Sequence, residues 1–152
     1  MSVKQIPDGY HSVTPYLIVP DAEEAIAFYI KAFDAAENVR LMMPDGKIGH
    51  AEIKIGNSII MIASANPEFG FKAPEDLGGS SISIFLYVVD VDSFTAKALA
   101  AGAIEQQAPQ NMFWGDRLAK IEDPFGYSWT IATHIEDVTL EECQARLYAE
   151  YA

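Results

Sequence analysis

The chain has few of the residues that would connect it with an oxidising compartment, a membrane or nucleic acid. It contains one cysteine, Cys143, so no disulfide can form within the chain, and we expect a reducing, cytoplasmic environment. No apolar run approaches the roughly 18 residues of a membrane span, and no hydrophobic segment of the signal-peptide type follows Met1. Only ten basic residues accompany 22 acidic ones, giving a net charge of −12. That charge repels the phosphates of nucleic acids and of anionic membrane surfaces, so neither is an expected partner.

The composition is that of a folded globular protein. Half of the residues are hydrophobic and 21% are charged, which argues against disorder outside the chain ends. At 152 residues, the chain is long enough to bury a substantial core but short for two independent domains. We therefore expect a single domain over residues 1–152.

The chain contains an internal repeat. A strand pattern ends at Asp21 and leads into a helical pattern over residues 22–33, and a second strand pattern ends at Asp90 and leads into a helical pattern over residues 93–101. Each aspartate can cap the helix that follows it. Further strand patterns follow both helices. The repeat therefore predicts two strand–helix–strands units with a cleft where they meet.

The repeat also sets the predicted boundaries. The first unit covers residues 12–63, a linker covers 64–80, the second unit covers 81–134, and a C-terminal helical tail covers 135–152. The first strand is predicted over residues 12–19, with Pro15 favouring an edge or bulge position. The linker is rich in Pro and Gly and carries Phe69 and Phe71. Its length is typical of a lid or a contact between subunits.

Five motifs occur in an order that is found in a known superfamily. They are TPYL at 14–17, HAEIKIG at 50–56, YVVDVD at 87–92, WGDR at 114–117 and DPFGYSW at 123–129. On these motifs the chain resembles the vicinal oxygen chelate superfamily, which includes glyoxalase I, bleomycin-resistance proteins and extradiol dioxygenases. More narrowly, it is similar to the PhnB-like branch. The resemblance implies an α+β fold in which tandem βαβββ modules form a curled, half-barrel mixed sheet with an open cleft, and it implies a homodimer.

The resemblance also bears on metal binding. Metal-using members of the superfamily place ligands, usually His and Glu, at four strand positions, which in this chain carry Thr14, Met61, Ser83 and Thr130. Three hydroxyls and a thioether are neutral, weak ligands for a divalent ion. We therefore expect the usual metal site to be absent, with no metal and no other cofactor.

His50 and Glu52 are the candidate catalytic residues. They are two positions apart on a predicted strand, so their side chains leave the same face. A two-residue turn at Gly56–Asn57 would set Glu52 opposite Met61, on the face expected to line the cleft. An imidazole beside a carboxylate can act as an acid/base pair, hold a displaced metal ion, or form a structural polar network. All three interpretations remain open from the sequence.

The remaining candidates are ligand contacts. Trp114 offers a flat apolar face, and Arg117 could clamp a carboxylate or phosphate, or pair internally with Asp116 or Glu52. Tyr16 and Phe85 share the strand parity of the four positions above, and they make the expected cleft aromatic. His11 and His134 are expected to have surface or structural roles, and Trp129 is expected in the core.

These residues favour a protein that binds a small, partly aromatic or hydrophobic molecule in the sheet cleft without a metal. The first alternative is a metal-independent lyase or isomerase that uses His50 and Glu52. The second is a metal-dependent glyoxalase-like or dioxygenase-like enzyme with a displaced site. Whether the protein is an enzyme stays open at this point.

Overall fold

The computed structural model describes residues 2–152, which divide into two compact units between Ser80 and Ser81. Each unit contains a four-stranded mixed sheet and a helix that follows its first strand. Both strand–helix–strands units predicted from the repeat are therefore present, and each has the βαβββ order that the resemblance implies. None of the helices in the described residues has the length and apolar character needed to cross a bilayer.

The first unit is built on the sheet order β1-β4-β3-β2. Its elements are β1 (Tyr16–Val19), α1 (Ala22–Phe33), β2 (Ala36–Met42), β3 (Ile48–Ile55) and β4 (Ser58–Ser64), followed by a 3-10 turn (Pro67–Phe69) and a short helix α2 (Pro74–Leu77). Strand β1 runs parallel to β4, whereas β3 is antiparallel to both of its neighbours. The predicted linker thus has local structure of its own.

Helix α1 begins where it does because of its cap. Asp21 is extended, and its carboxylate accepts hydrogen bonds from the backbone N–H groups of Glu23 and Glu24. The helix packs against the sheet, and Leu17 and Val19 are buried while the alternate side chains of β1 are not. We call the face that α1 leaves uncovered the first open face; it carries Tyr16, His50, Glu52 and Met61.

The second unit repeats this plan with the order β5-β8-β7-β6. Its elements are β5 (Ser83–Tyr87), α3 (Val91–Ala101), β6 (Ile104–Asn111), β7 (Asp116–Glu122), β8 (Ser128–His134) and α4 (Leu140–Tyr151). Strand β5 runs parallel to β8, and Asp90 caps α3 by accepting from the Ser93 N–H. Trp129 is buried in the core as expected. The second open face, which α3 leaves uncovered, carries Ser83, Phe85, Tyr87 and Thr130.

Two predicted elements differ from the structure. Strand β1 starts at Tyr16 rather than at residue 12, because Pro15 has no N–H to donate to the sheet. The Pro15 carbonyl still accepts from the Met61 N–H at 2.9 Å. The sequence pattern predicts a short strand over residues 104–107 and a loop over residues 110–115. In the structure, strand β6 continues to Asn111, and its pairing with β7 contains two register shifts.

Candidate functional site

The first open face carries a row of functional side chains across three strands. The tight turn after β3 sets the register, so that Glu52 lies opposite Met61 and Met61 lies opposite Tyr16. The predicted Glu52–Met61 pairing is confirmed. His50 is two residues before Glu52 on the same face. The sheet therefore brings together Tyr16, His50, Glu52 and Met61.

These side chains form a hydrogen-bonded chain. The Nε2 of His50 lies 2.8 Å from Oε2 of Glu52, and the Tyr16 hydroxyl lies 2.9 Å from Nδ1 of His50. The Tyr10 hydroxyl donates to the other carboxylate oxygen of Glu52. We call these four residues the Glu52 cluster. Because an ionised carboxylate can only accept, Nε2 carries the proton, and in the neutral imidazole Nδ1 accepts from Tyr16.

The burial of Glu52 determines the electrostatics of this cluster. Only 7% of Glu52 is exposed. Burial alone would raise the pKa of its carboxyl group, but hydrogen bonds from Tyr10 and His50 outweigh burial, and the net pKa lies below the ordinary value. Burial and then the nearby Glu52 charge raise the pKa of Tyr16, so its hydroxyl stays protonated. The chain therefore runs from an ionised carboxylate through an imidazole to a neutral phenol.

The phenol end of this chain faces solvent. Tyr16 is 45% exposed, although its hydroxyl is held by His50 and its ring lies 5.5 Å from the imidazole ring. An aromatic ring that is both fixed and exposed is suited to contact with a ligand. Thr14 comes just before β1 and is half-buried.

On the second open face, the predicted residues form an aromatic strip. Phe85 pairs in register with Thr130, and the Phe85 and Tyr87 rings lie 5.0 Å apart. Phe85 and Ser83 are exposed, whereas Thr130 is buried. The side chains that would contact a ligand on this face are therefore the aromatic ones rather than the Thr130 hydroxyl.

Asp116, the first residue of β7, is the centre of a second cluster. The sequence pattern did not indicate this role. Asp116 is 2% exposed and accepts from the Tyr87 hydroxyl at 2.8 Å and from the Trp114 indole at 3.0 Å. Its other oxygen lies 2.9 Å from Nδ1 of His134, whose Nε2 lies 2.8 Å from Asp137. We call Asp116, its three partners and Asp137 the Asp116 cluster. His134 thus links Asp116 to Asp137.

The charges of this cluster reinforce one another. Burial would raise the pKa of Asp116, but hydrogen bonds from His134, Tyr87 and Trp114 lower it below its usual range. The pKa of His134 is raised, first by its hydrogen bond to Asp137 and next by that to Asp116. The WGDR motif was the signal in the sequence that could have indicated the Asp116 cluster.

Tyr10 is a member of the Glu52 cluster that the sequence pattern did not indicate. No strand or helix periodicity places its side chain, which is why it was missed.

Arg117 forms a pair, with Asp92, that was not among the alternatives left open by the sequence. Its guanidinium binds the Asp92 carboxylate through two hydrogen bonds of 2.8 Å and contacts Asn111 at 3.1 Å. The predicted pairing with Asp116 is wrong, because Asp116 is already occupied by Tyr87, Trp114 and His134. Trp114 is half-buried, with its ring edge-on to Phe113.

The donor sets do not fit a metal ion. Among residues 2–152, no three His, Cys, Asp or Glu side chains are grouped so that they could hold one. His50 and Glu52 supply only two such groups and bind each other. Asp116 and Asp137 lie on opposite nitrogens of the His134 ring, so the three do not converge on one point.

The first unit also contains a cavity of about 740 Å³. It lies between the turn that joins β2 to β3 and the segment 65–71, and we call it the linker pocket. Its floor includes Ile48 and Ala63, and its walls include Met43, Phe69 and Phe71. None of the residues predicted as ligand contacts lines it. Loop residues form most of it, and no periodic pattern in the sequence marks such a site.

Comparison with known proteins assigns the chain to a family. The sequence model of the Glyoxalase/Bleomycin resistance protein/Dioxygenase superfamily matches residues 9–131, and the chain belongs to that superfamily. An uncharacterised protein of Mycobacterium bovis is 39% identical over 142 residues, covering 91% of this chain and 93% of the relative.

Solved structures agree on the fold. TioX from Micromonospora sp. ML1 superposes with a TM-score of 0.65 at 24% identity, covering 82% of this chain and 99% of TioX. The PhnB protein of Bacillus cereus gives a TM-score of 0.62 at 18% identity, with coverage of 81% and 99%. The predicted glyoxalase/bleomycin-resistance fold is confirmed. At these identities the likeness extends to the fold alone.

Proposed function

We propose that the protein binds a small, partly aromatic or hydrophobic molecule on the open faces of its sheets, without the metal site of its superfamily. The observation that carries the proposal is Tyr16, an exposed ring held in place by His50 and Glu52. Phe85 and Tyr87 give the second open face a comparable aromatic surface. Ligand sites combine such apolar surfaces with a few fixed polar groups. The donor chemistry at Thr14, Met61, Ser83 and Thr130 supports a site that works without a metal.

Binding is tested with a neutral aromatic probe. We expect N-phenyl-1-naphthylamine fluorescence to rise on titration with the protein. Tyr16→Ala should weaken probe binding by about tenfold, since an aromatic contact contributes about 0.5–1.5 kcal/mol beyond its buried area. Tyr148→Ala, which removes an exposed tyrosine from α4, is the matched control. Equal probe affinity in the two variants would contradict the proposal.

The absence of metal chemistry has its own test. Untagged protein is analysed by elemental mass spectrometry before and after incubation with Zn²⁺, Ni²⁺, Mn²⁺ and Fe²⁺. We expect far less than one ion per chain. A stoichiometric ion that disappears in His50→Ala would favour a displaced-site enzyme instead.

The Glu52–His50–Tyr16 chain favours one second candidate, a metal-independent lyase or isomerase. The Tyr16 oxygen would take a proton from substrate carbon while its own proton passes to Nδ1 of His50, and the imidazolium formed would be stabilised by Glu52. Deuterium exchange into dihydroxyacetone in D₂O, followed by NMR, is the measurement. Tyr16→Phe should keep probe binding and lose the exchange. Exchange that is equally slow with and without protein would count against this candidate.

A homodimer in the cytoplasm belongs to the same proposal. The cytoplasmic location is supported by the single cysteine, Cys143, which is half-buried. The homodimer is supported by exposed apolar side chains such as Phe85 and Ile82, which a second subunit could cover. Sedimentation equilibrium should give twice the chain mass of 16.7 kDa. A monomer at micromolar concentration would contradict this part.

A further inference from the structure

The linker pocket is walled by two ordered turns. In the β2–β3 turn, the Met43 N–H donates to the Lys47 carbonyl at 2.7 Å, and the Asp45 carboxylate accepts from the Lys47 N–H at 2.9 Å. Across the pocket, Asn66 and Phe71 exchange two backbone hydrogen bonds of 2.7 and 3.1 Å, which close the loop between them. Both walls therefore present their side chains from fixed backbones, a favourable starting point for binding.

Three apolar side chains of these walls are exposed to solvent. Phe69 is 76% exposed, Met43 53% and Phe71 43%, and all three surround the same cavity. The floor residues Ile48 and Ala63 are buried. Three large apolar side chains left in water around one concave surface indicate a site that is covered by an apolar group. The volume of about 740 Å³ lies within the roughly 300–1,000 Å³ of small-molecule sites.

The charges of the pocket select the kind of ligand. Asp45 and Glu68 contribute two negative charges and Lys47 one positive charge, so the lining carries a net charge of −1. The whole chain carries −12, which raises the local concentration of cations and repels anions. The faces of Phe69 and Phe71 attract cations as well. From these features we propose that the linker pocket binds a small organic cation with an aromatic or apolar body.

This site is independent of the function proposed above. Tyr16, His50 and Met61 carry that function, and none of them lines the linker pocket. The two proposals can therefore fail separately. Tyr16→Ala should leave binding in the pocket unchanged, and pocket variants should leave N-phenyl-1-naphthylamine binding unchanged.

Three probes that share a benzene ring and differ in charge test the choice of ligand. Isothermal calorimetry at low salt compares benzyltrimethylammonium, neutral benzyl alcohol and anionic benzoate. We expect the cation to bind most tightly, benzoate most weakly, and the cation's affinity to fall as salt is added. Phe69→Ala should weaken cation binding by about two- to fivefold, the effect of an exposed cation–π contact.

Two charge variants of opposite sign make the test sharper. Glu68→Gln should weaken cation binding and Lys47→Gln should tighten it, each by about two- to fivefold, as expected for single charges near a surface. Glu75→Gln, on α2 and outside the pocket lining, has the same charge change as Glu68→Gln and is the matched control. Glu68 and Glu75 are both exposed, so the two Gln variants should fold.

Three results would overturn the proposal. The first is equal binding of the cation and benzoate. The second is an equal effect of Glu68→Gln and Glu75→Gln, which would show that only net charge matters. The third is that none of the probes binds and that Phe69→Ala no longer sediments with the mass of a dimer. That last result would assign Phe69 to a contact with a second copy of the chain.

Discussion

The two units use the same chemical device in different ways. Each unit has a buried carboxylate, Glu52 or Asp116, that accepts from a tyrosine hydroxyl and pairs with a histidine. In the first unit, the far side of His50 holds Tyr16, which is exposed on the open face. In the second, the far side of the histidine holds Asp137 in the C-terminal tail.

The difference shows how the surroundings of a cluster set its role. A histidine between a carboxylate and a phenol can take up or release a proton towards whatever contacts that phenol. A histidine between two carboxylates is stabilised as an imidazolium and fastens one segment to another. The first arrangement suits a site, and the second suits a structural tie. Variants that disturb one cluster and leave the other intact should therefore affect different properties of the protein.

Breaking the tail contact at Gly115 should destabilise the second unit most. Gly115 has φ +105°, and an added Cβ would lie 2.1 Å from the Glu136 carbonyl oxygen. Gly115→Ala should lower the free energy of unfolding by about 4 kcal/mol, from backbone strain plus forced displacement of the tail. Gly46→Ala, with φ +85° and nothing within 4 Å of the added Cβ, should cost only about 1 kcal/mol. Urea denaturation measures both; similar losses would mean that the tail simply moves aside.

Neutralising each buried carboxylate should lower the free energy of unfolding by different amounts in the two clusters. Asp116→Asn removes the charge that accepts from three side chains, whereas Glu52→Gln affects two. We expect losses of about 3 and about 2 kcal/mol in the free energy of unfolding, respectively, as hydrogen bonds to buried charges are broken. The measurement is urea denaturation at pH 7. A larger loss for Glu52→Gln would contradict the assignment of Asp116 as the structural member of the pair.

The pattern of strands, helices and caps could be predicted from the sequence because it depends on local rules. Asp21 and Asp90 mark the helix starts, and the turn at Gly56–Asn57 sets the register that places Glu52 opposite Met61. The two strand–helix–strands units followed from these signals, whereas the family followed from the resemblance carried by the five motifs. The same period-two reasoning put Tyr16 and Phe85 on exposed faces.

The partners of the site residues depend on tertiary contacts and could not be predicted in the same way. Asp116 gathers groups from β5, from the preceding loop and from the end of β8. Arg117 reaches Asp92, which is 25 residues away in sequence. The linker pocket arises where two turns approach each other. None of these contacts leaves a periodic trace in the chain.

The pH dependence of stability should show whether His134 ties the C-terminal tail to the second unit. The pKa of His134 is raised above its ordinary 6.5 in the folded state. Its stabilising contribution is therefore complete below about pH 6.5 and is lost as the pH rises through the higher folded-state pKa. We expect the melting temperature to fall over this range in the wild type and to fall less in His134→Gln. His11→Gln is the control, and an unchanged slope in His134→Gln would show that the imidazolium does not hold the tail.

The smallest effect on global stability should come from Arg146, which ties α4 to the rest of the second unit. Its guanidinium donates to the Phe113 carbonyl at 2.9 Å and to both carboxylate oxygens of Glu136. No residue of α4 is buried, so packing does little to hold this helix. In Arg146→Gln we therefore expect faster amide hydrogen exchange throughout α4, with almost no change in melting temperature, since exposed ion pairs contribute little to global unfolding.

Arg40 in the first unit is the matched control for Arg146. It pairs with Glu37 and Glu23 and so joins β2 to α1, but α1 buries seven of its twelve residues. Arg40→Gln should leave amide exchange in α1 unchanged, because apolar packing holds that helix without the ion pair. If α1 loosened as much as α4, charge rather than packing would hold both helices. The contrast between a unit fixed by its core and a tail fixed by its charges would then be wrong.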